Sequence, residues 1–145
     1  MAGIWSRATL ARNPTAQDAD IPSALKLLKE RFELPDAWFA VSTEDLRMAA
    51  IGHGMPGRED DGKGDVIPGL MHLSMIAVEP DFWGRGHGRA MTEFAIERAK
   101  KFGFERVQLW TQISNERAIG LYESLGFRPA GREGEYQGEP TWLSI

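Results

Sequence analysis

The chain has 145 residues, 42% hydrophobic and 26% charged, with a formal net charge of -4 and no cysteine. That length suits one compact domain burying about two thirds of the surface its unfolded form exposes, and the acidic balance lacks the basic field that nucleic-acid binding needs. Without cysteine there is no disulfide, thiolate metal site or thiol nucleophile, so acyl transfer must be direct or use another residue.

Behind Met1 there is no apolar segment long enough for a signal peptide, and no stretch approaches a membrane span. The expected compartment is the cytoplasm, with neither nucleic acid nor membrane as a partner. Ile4 to Ala11 reads as a first strand, broken by Pro14. Ile21, Leu25, Leu28 and Phe32 then follow helical spacing behind Asp18 and Asp20, with Pro22 tolerated in the first turn and Pro35 closing the helix. Trp38 to Ser42 and Leu46 to His53 form a predicted hairpin, turning around Thr43 to Asp45.

From Gly54 to Gly69 the composition shifts to Gly, Pro and charge, which predicts a mobile surface loop. Its Glu59, Asp60, Asp61 and Asp65 suit a cationic acceptor, although a solvated acidic loop is the commoner explanation. Leu70 to Val78 is nearly apolar on both faces, as in the middle of a covered sheet, and ends at Glu79 and Pro80. Gly84, Gly86 and Gly88 lead into a helix with Met91, Ala95, Ala99 and Phe102 on one face and Gly103 at its end. Val107 to Thr111 is a strand, and Asn115 to Leu125 a helix with Ala118, Leu121, Tyr122 and Leu125 on one side and Gly126 as its cap. Short strands at Phe127 to Arg132 and Thr141 to Ile145 close the chain around a Gly-rich turn segment.

The segment from Leu73 to Ala90 carries the most chemistry. A buried strand enters a glycine loop that opens into a helix, whose leading N–H groups and positive dipole end suit a phosphate or pyrophosphate. Met91 stands where a dinucleotide fingerprint wants Gly or Ala, and no Gly-Lys-Ser/Thr follows for a P-loop. The other reading is that the glycines serve only the geometry of the turn.

Trp83-Gly84-Arg85-Gly86-His87-Gly88 resembles the GNAT superfamily signature, an Arg or Gln followed by Gly-x-Gly-x-Gly or Gly-x-Gly-x-Ala, with Trp83 in the Arg or Gln position. Asn115-Glu116-Arg117-Ala118-Ile119-Gly120-Leu121-Tyr122-Glu123-Ser124-Leu125-Gly126-Phe127 resembles a second motif of that family, N-x-x-A-x-x-L-Y-x-x-x-G-F. The resemblance covers about residues 70 to 130, and the first 69 residues agree only in the order of elements.

It implies a single N-acetyltransferase domain over residues 1–145. The implied fold is α/β, a central mixed, mostly antiparallel sheet with splayed middle strands, flanked by helices. Acetyl-CoA would be the co-substrate, and no metal is expected. By the resemblance, the amides of Arg85, Gly86, His87, Gly88, Arg89 and Ala90 hold the pyrophosphate; the Arg85 and Arg89 side chains either add charge or lie in solvent. The backbone of Ile76, Ala77 and Val78 would pair with the pantetheine arm, an N–H of Ala77 or Val78 polarising the acetyl carbonyl. Val107 to Thr111 would splay away to admit the thioester. Asn115 would hydrogen-bond the cofactor or serve as an ordinary helix-start residue.

Tyr122 would protonate the departing thiolate as general acid, the alternative being a packed structural tyrosine. A general base is expected at His72 with Ser74, which share a strand face roughly 7 Å apart. As polar groups in an apolar strand they need partners, from water, substrate or the core. Serotonin N-acetyltransferases, in the same superfamily, have histidines at the positions matching His72 and Ser74. His53 and His87 are weaker candidates, and the histidines show no metal-ligand spacing. The expected acceptor is the amine of a small molecule; a protein N-terminus or lysine, or a non-catalytic acyl-CoA sensor, are the alternatives. Edge strands near the C-terminus suit a homodimer.

Overall fold

A computed structural model describes residues 1–133 and 140–144. In chain order the elements are α1 (Ala2–Arg12), α2 (Ile21–Phe32), β1 (Trp38–Glu44), β2 (Arg47–Arg58), α3 (Glu59–Gly62), β3 (Val66–Val78), a 3-10 turn (Pro80–Phe82), α4 (His87–Lys101), β4 (Arg106–Gln112), α5 (Glu116–Ser124), β5 (Arg128–Glu133) and β6 (Pro140–Ser144). The strands follow the hydrogen-bonded order β1-β2-β3-β4-β6-β5. β3 and β4 run parallel, while β1 with β2, β4 with β6 and β5 with β6 are antiparallel, so the sheet is mixed and mainly antiparallel as expected. The chain forms two compact units, Met1–Met55 with Met75–Thr92 and Pro56–Ser74 with Glu93–Ile145; β2, β3 and α4 contribute residues to both.

In the first unit the segment read as a strand from Ile4 to Ala11 is helix α1. Its buried residues are Ala2, Ile4, Ser6 and Ala8, an alternation that mimics a strand. On a helix, that spacing buries two opposite sides. Ser6 Oγ donates to the Ala19 carbonyl at 2.6 Å, and Ile4 and Ala8 enter the core with Leu28, Ile51 and Met75. Ile51 is fully buried, a side chain whose removal from water is worth about 1.5–3 kcal/mol.

Helix α2 has the predicted limits because its signals are local: Asp20 caps it by accepting from the Ser23 N–H at 2.9 Å, and Pro22 sits in its first turn. Its buried side is narrower than the apolar spacing suggests. Leu28 and Ala24 are buried, whereas Ile21, Leu25 and Phe32 are 49%, 57% and 60% exposed.

The β1–β2 hairpin turns through Asp45 and Leu46, both at positive φ, one residue later than the sequence signals suggest. A β-bulge separates Ser42, paired with Ala50, from Thr43, paired with Met48. Ala49 is the extra residue, and its carbonyl accepts the Glu79 N–H at 2.8 Å.

The predicted loop from Gly54 to Gly69 is instead mostly ordered strand: β2 continues to Arg58, α3 makes one turn, and β3 begins at Val66. Gly54, Gly57 and Gly64 serve close packing there. A Cβ on Gly54 would come within 2.5 Å of the Trp38 ring. Strand β3 is also less symmetric than its composition suggests: Met71, Leu73, Met75 and Ala77 are buried, while His72, Ser74, Ile76 and Val78 form a half-buried face.

In the second unit, α5 carries Ala118, Leu121, Tyr122 and Leu125 on its half-buried side, with Glu116, Arg117, Glu123 and Ser124 exposed. Its end has the paired bonds of a Schellman motif, Phe127 N–H to the Tyr122 carbonyl at 3.1 Å and Gly126 N–H to the Glu123 carbonyl at 3.0 Å. Phe102, expected on the apolar face of α4, lies beyond the last helical residue and is 59% exposed, with the Arg98 guanidinium over its ring. Phe127 is fully buried and precedes β5, which starts at Arg128. Ile145 and the Gly-rich turn segment lie outside the described residues.

Candidate functional site

The strand, glycine loop and helix that carry the expected cofactor contacts past Met75 lie in the first unit. After Val78, Glu79 is pinned twice. Its N–H bonds Ala49, and its carboxylate takes Arg7 Nε and Nη2 at 2.7 Å each. The chain then makes the 3-10 turn, and the Trp83 indole N–H donates to the Val78 carbonyl at 2.9 Å, tying loop to strand. Trp83 thus has an internal role at the motif position where Arg or Gln is usual.

Gly84 and Gly86 have φ of 78° and 85°, a region an L side chain rarely adopts. A Cβ on Gly86 would meet nothing within 4 Å, so the loop is open to solvent at this point. Helix α4 begins at His87, and its first intrahelical bond runs from the Ala90 N–H to the Gly86 carbonyl at 2.9 Å. The amides of His87 and Gly88 precede that bond and are oriented as leading N–H groups of a helix. Ala90, expected to donate to a phosphate, has its N–H engaged within the helix.

The side chains of the loop point to a partner the sequence reading did not identify. Arg85 Nη1 donates to Glu44 Oε1 at 2.5 Å, His87 Nε2 lies 2.5 Å from Glu44 Oε2, and His87 Nδ1 lies 2.8 Å from Ser42 Oγ. Hydrogen bonds from His87 and then from Arg85 hold the Glu44 carboxyl below the ordinary carboxylate range. Phe82, 3% exposed, lies under this group, its ring edge-on to His87 at 5.8 Å and beneath the Arg85 guanidinium at 5.3 Å. Ser42 and Glu44 lie some forty residues upstream on β1, and no local spacing marks them. Arg89 is exposed at the surface of α4.

His72, Ser74, Asn115 and Tyr122 lie in the second unit. The parallel ladder registers Leu70, Met71 and His72 with Arg106, Val107 and Gln108; β4 then runs on to Gln112 paired with β6. His72 and Ser74 occupy the half-buried face of β3. Asn115 caps α5: its Oδ1 accepts from the Ala118 N–H at 3.4 Å, and its Nδ2 donates to Thr111 Oγ1 at 3.3 Å. The Tyr122 ring is half-buried with its centroid 5.8 Å from that of Phe127.

His53, a weaker base candidate, is a core residue of the first unit. It has no exposed surface, packs 4.5 Å from the Phe39 ring, and is pushed down to about 4 by burial and by the Arg31 charge. Among the described residues no cluster of three or more His, Asp or Glu is placed to hold a metal ion, and no helix is long and apolar enough to cross a membrane.

A strand that runs through a glycine loop into a helix N-terminus, in an α/β sheet, is an arrangement suited to a phosphate-bearing ligand. The acetyltransferase (GNAT) family profile matches residues 9–127, and the chain belongs to that family. It is 47% identical over 58 residues to the [ribosomal protein bS18]-alanine N-acetyltransferase of Escherichia coli, a match covering 40% of this chain and 39% of that protein. It is 33% identical over 86 residues to the mycothiol acetyltransferase of Beutenbergia cavernae, covering 53% of this chain and 29% of that one. The chain thus spans less than two fifths of the length of these curated relatives. A solved Bacillus subtilis acetyltransferase in complex with CoA has the same fold, with a TM-score of 0.69 over 100% of this chain and 91% of that chain, at 18% identity.

Proposed function

We propose that the protein is an acetyl-CoA-dependent N-acetyltransferase that transfers acetyl directly to a primary amine, with a small molecule as acceptor and the cytoplasm as its compartment. The observation that carries this reading is the loop at Gly86, held at positive φ with open space on its Cβ side and leading into the first amides of α4. Such a loop admits a pyrophosphate to within hydrogen-bond reach of its backbone. The amides of Arg85, Gly86, His87, Gly88 and Arg89 would hold it, and Ile76, Ala77 and Val78 would offer backbone groups to the pantetheine arm. The Val78 carbonyl already accepts from the Trp83 indole N–H, so Val78 would offer its own N–H.

In the reaction the amine must first lose a proton, since an alkylammonium has a reference pKa of about 10.4. His72, with Ser74 beside it on the half-buried face of β3, would take that proton directly or through water. The nitrogen attacks the thioester carbonyl, the oxyanion is stabilised by a strand N–H of Ala77 or Val78, and the carbon–sulfur bond breaks. Tyr122 would donate its phenolic proton to the thiolate of CoA and regain one from the proton that the attacking nitrogen releases as it becomes an amide. Asn115 would act by holding the start of α5, the helix that carries Tyr122, through its cap.

A second reading, acetylation of a protein N-terminus, is favoured by the match to the bS18-alanine enzyme, whereas the mycothiol acetyltransferase match points to a small molecule. The test is release of CoA from acetyl-CoA with a panel of small amines and of peptides with free N-termini. Turnover with a small amine supports the proposal. Turnover with peptides alone selects the second reading, and no thioester cleavage with any amine would leave a non-catalytic acyl-CoA sensor.

A further inference from the structure

The phosphate-loop candidate is gripped from outside by one carboxylate. Glu44 binds residues on both sides of Gly86: Arg85 through Oε1 and His87 through Oε2, each at 2.5 Å. An ionised carboxylate only accepts, so His87 Nε2 carries the proton in that bond. With Ser42 Oγ at 2.8 Å from Nδ1, both ring nitrogens are engaged, and the ring cannot turn without losing two hydrogen bonds. The His87 side chain is only 11% exposed and the Glu44 side chain 30%, so the grip is partly shielded from water. Ser42 and Glu44 are two residues apart on β1, and the β-bulge between Ser42 and Thr43 sets its extra residue, Ala49, on the facing strand β2.

We propose that Glu44 is a positioning residue for cofactor binding, holding Arg85 and His87 so that the backbone between them stays ready for the anionic part of CoA. The proposal rests on the acetyl-CoA reading above. Its physical basis is preorganisation. Gly86 has more conformational freedom to lose than any other residue type, and fixing both neighbours from β1 removes much of that freedom before a ligand arrives. Glu44 has an opposing effect, because a carboxylate near an anion site repels the ligand. Arg85 compensates that charge directly, and the hydrogen bond from His87 disperses it further. The two effects have opposite signs, so the direction of change on removing Glu44 discriminates between them.

Calorimetry of the full chain with CoA, for wild type, Glu44→Ala and Ser42→Ala, tests this. Loss of the grip should weaken CoA binding about tenfold in Glu44→Ala, equivalent to about 1.4 kcal/mol, and about two- to threefold in Ser42→Ala, which removes only one hold on His87. Hydrogen exchange in the ligand-free variants should quicken in the peptide spanning residues 83–90 and stay unchanged elsewhere, with a melting temperature within a few degrees of wild type. If Glu44→Ala folds poorly, Ser42→Ala provides the same comparison. Unchanged or tighter CoA binding in the variants would overturn the proposal, as would exchange that quickens throughout the chain. A wild-type protein that does not bind CoA would overturn the cofactor reading beneath it instead.

Discussion

Arg7→Ala should cost about 2 kcal/mol of folding stability through a group it leaves behind. Arg7 donates twice to Glu79, at 2.7 Å from Nε and 2.7 Å from Nη2, and the Glu79 side chain is 9% exposed against 56% for Arg7. Breaking a buried pair by removing one partner costs about 3–5 kcal/mol, whereas exposed pairs are worth about 0–1 kcal/mol. A buried carboxylate with a half-exposed partner falls between these limits. Glu79 directly follows the last residue of β3, so the cost falls on the strand end that enters the glycine loop. In urea denaturation the midpoint should drop with the slope unchanged, and the melting temperature should fall by about 5–10 °C. The double variant Arg7→Met with Glu79→Gln should recover most of the loss, because no charge is then stranded. A change below about 0.5 kcal/mol in Arg7→Ala would refute the reasoning and show that Glu79 is solvated.

Burial holds His53 neutral, so its imidazole should titrate near pH 4 by NMR rather than near the ordinary 6.5. The unfolded chain then binds the extra proton first, so this stability is complete above about pH 6.5 and declines toward pH 4, by at most about 3 kcal/mol; an ordinary titration near 6.5 would contradict the buried placement. Gly54→Ala would set a Cβ 2.5 Å from the Trp38 ring and should cost about 1–3 kcal/mol in chemical denaturation, whereas a neutral effect would mean that residues 54–58 are the loose loop their composition suggests. Tyr122→Phe should keep the ring beside Phe127 and the fold while lowering turnover about 100- to 10,000-fold and removing the high-pH limb of the rate profile; near wild-type turnover would make Tyr122 a packing residue.

Features carried by neighbours in sequence were legible. Asp20, Pro22 and Pro35 bracket α2, Gly126 marks the end of α5, and the spacings around Gly86 and Tyr122 pointed to the family that the chain belongs to. Helix α1 differs from the predicted strand because its buried residues, Ala2, Ile4, Ser6 and Ala8, include a serine and lie on two opposite sides, so no single apolar stripe marks a helix in the sequence. Composition alone places Gly54 in a loop, because it does not reveal that a tryptophan ring on the facing strand needs the missing side chain. The pairing of Glu44 with Arg85 and His87 joins residues 41 and 43 positions apart, and such a contact exists only once the hairpin has formed. The apolar run of β3 hid the asymmetry of its faces, since Ile76 and Val78 lie on the half-buried side with His72 and Ser74.

The central claim, that the loop around Gly86 holds the phosphates of an acyl-CoA, is tested most directly by calorimetric titration of the wild-type chain and of Gly86→Val with CoA. The wild type should bind saturably and show a melting-point rise in acetyl-CoA that reflects about 2.7 kcal/mol at 100 times the dissociation constant. Gly86→Val, which forces a β-branched residue to a φ of 85°, should fold but bind more than tenfold more weakly. A wild-type protein that gives no binding heat and no melting shift with saturating CoA or acetyl-CoA would show that the loop around Gly86 holds no acyl-CoA.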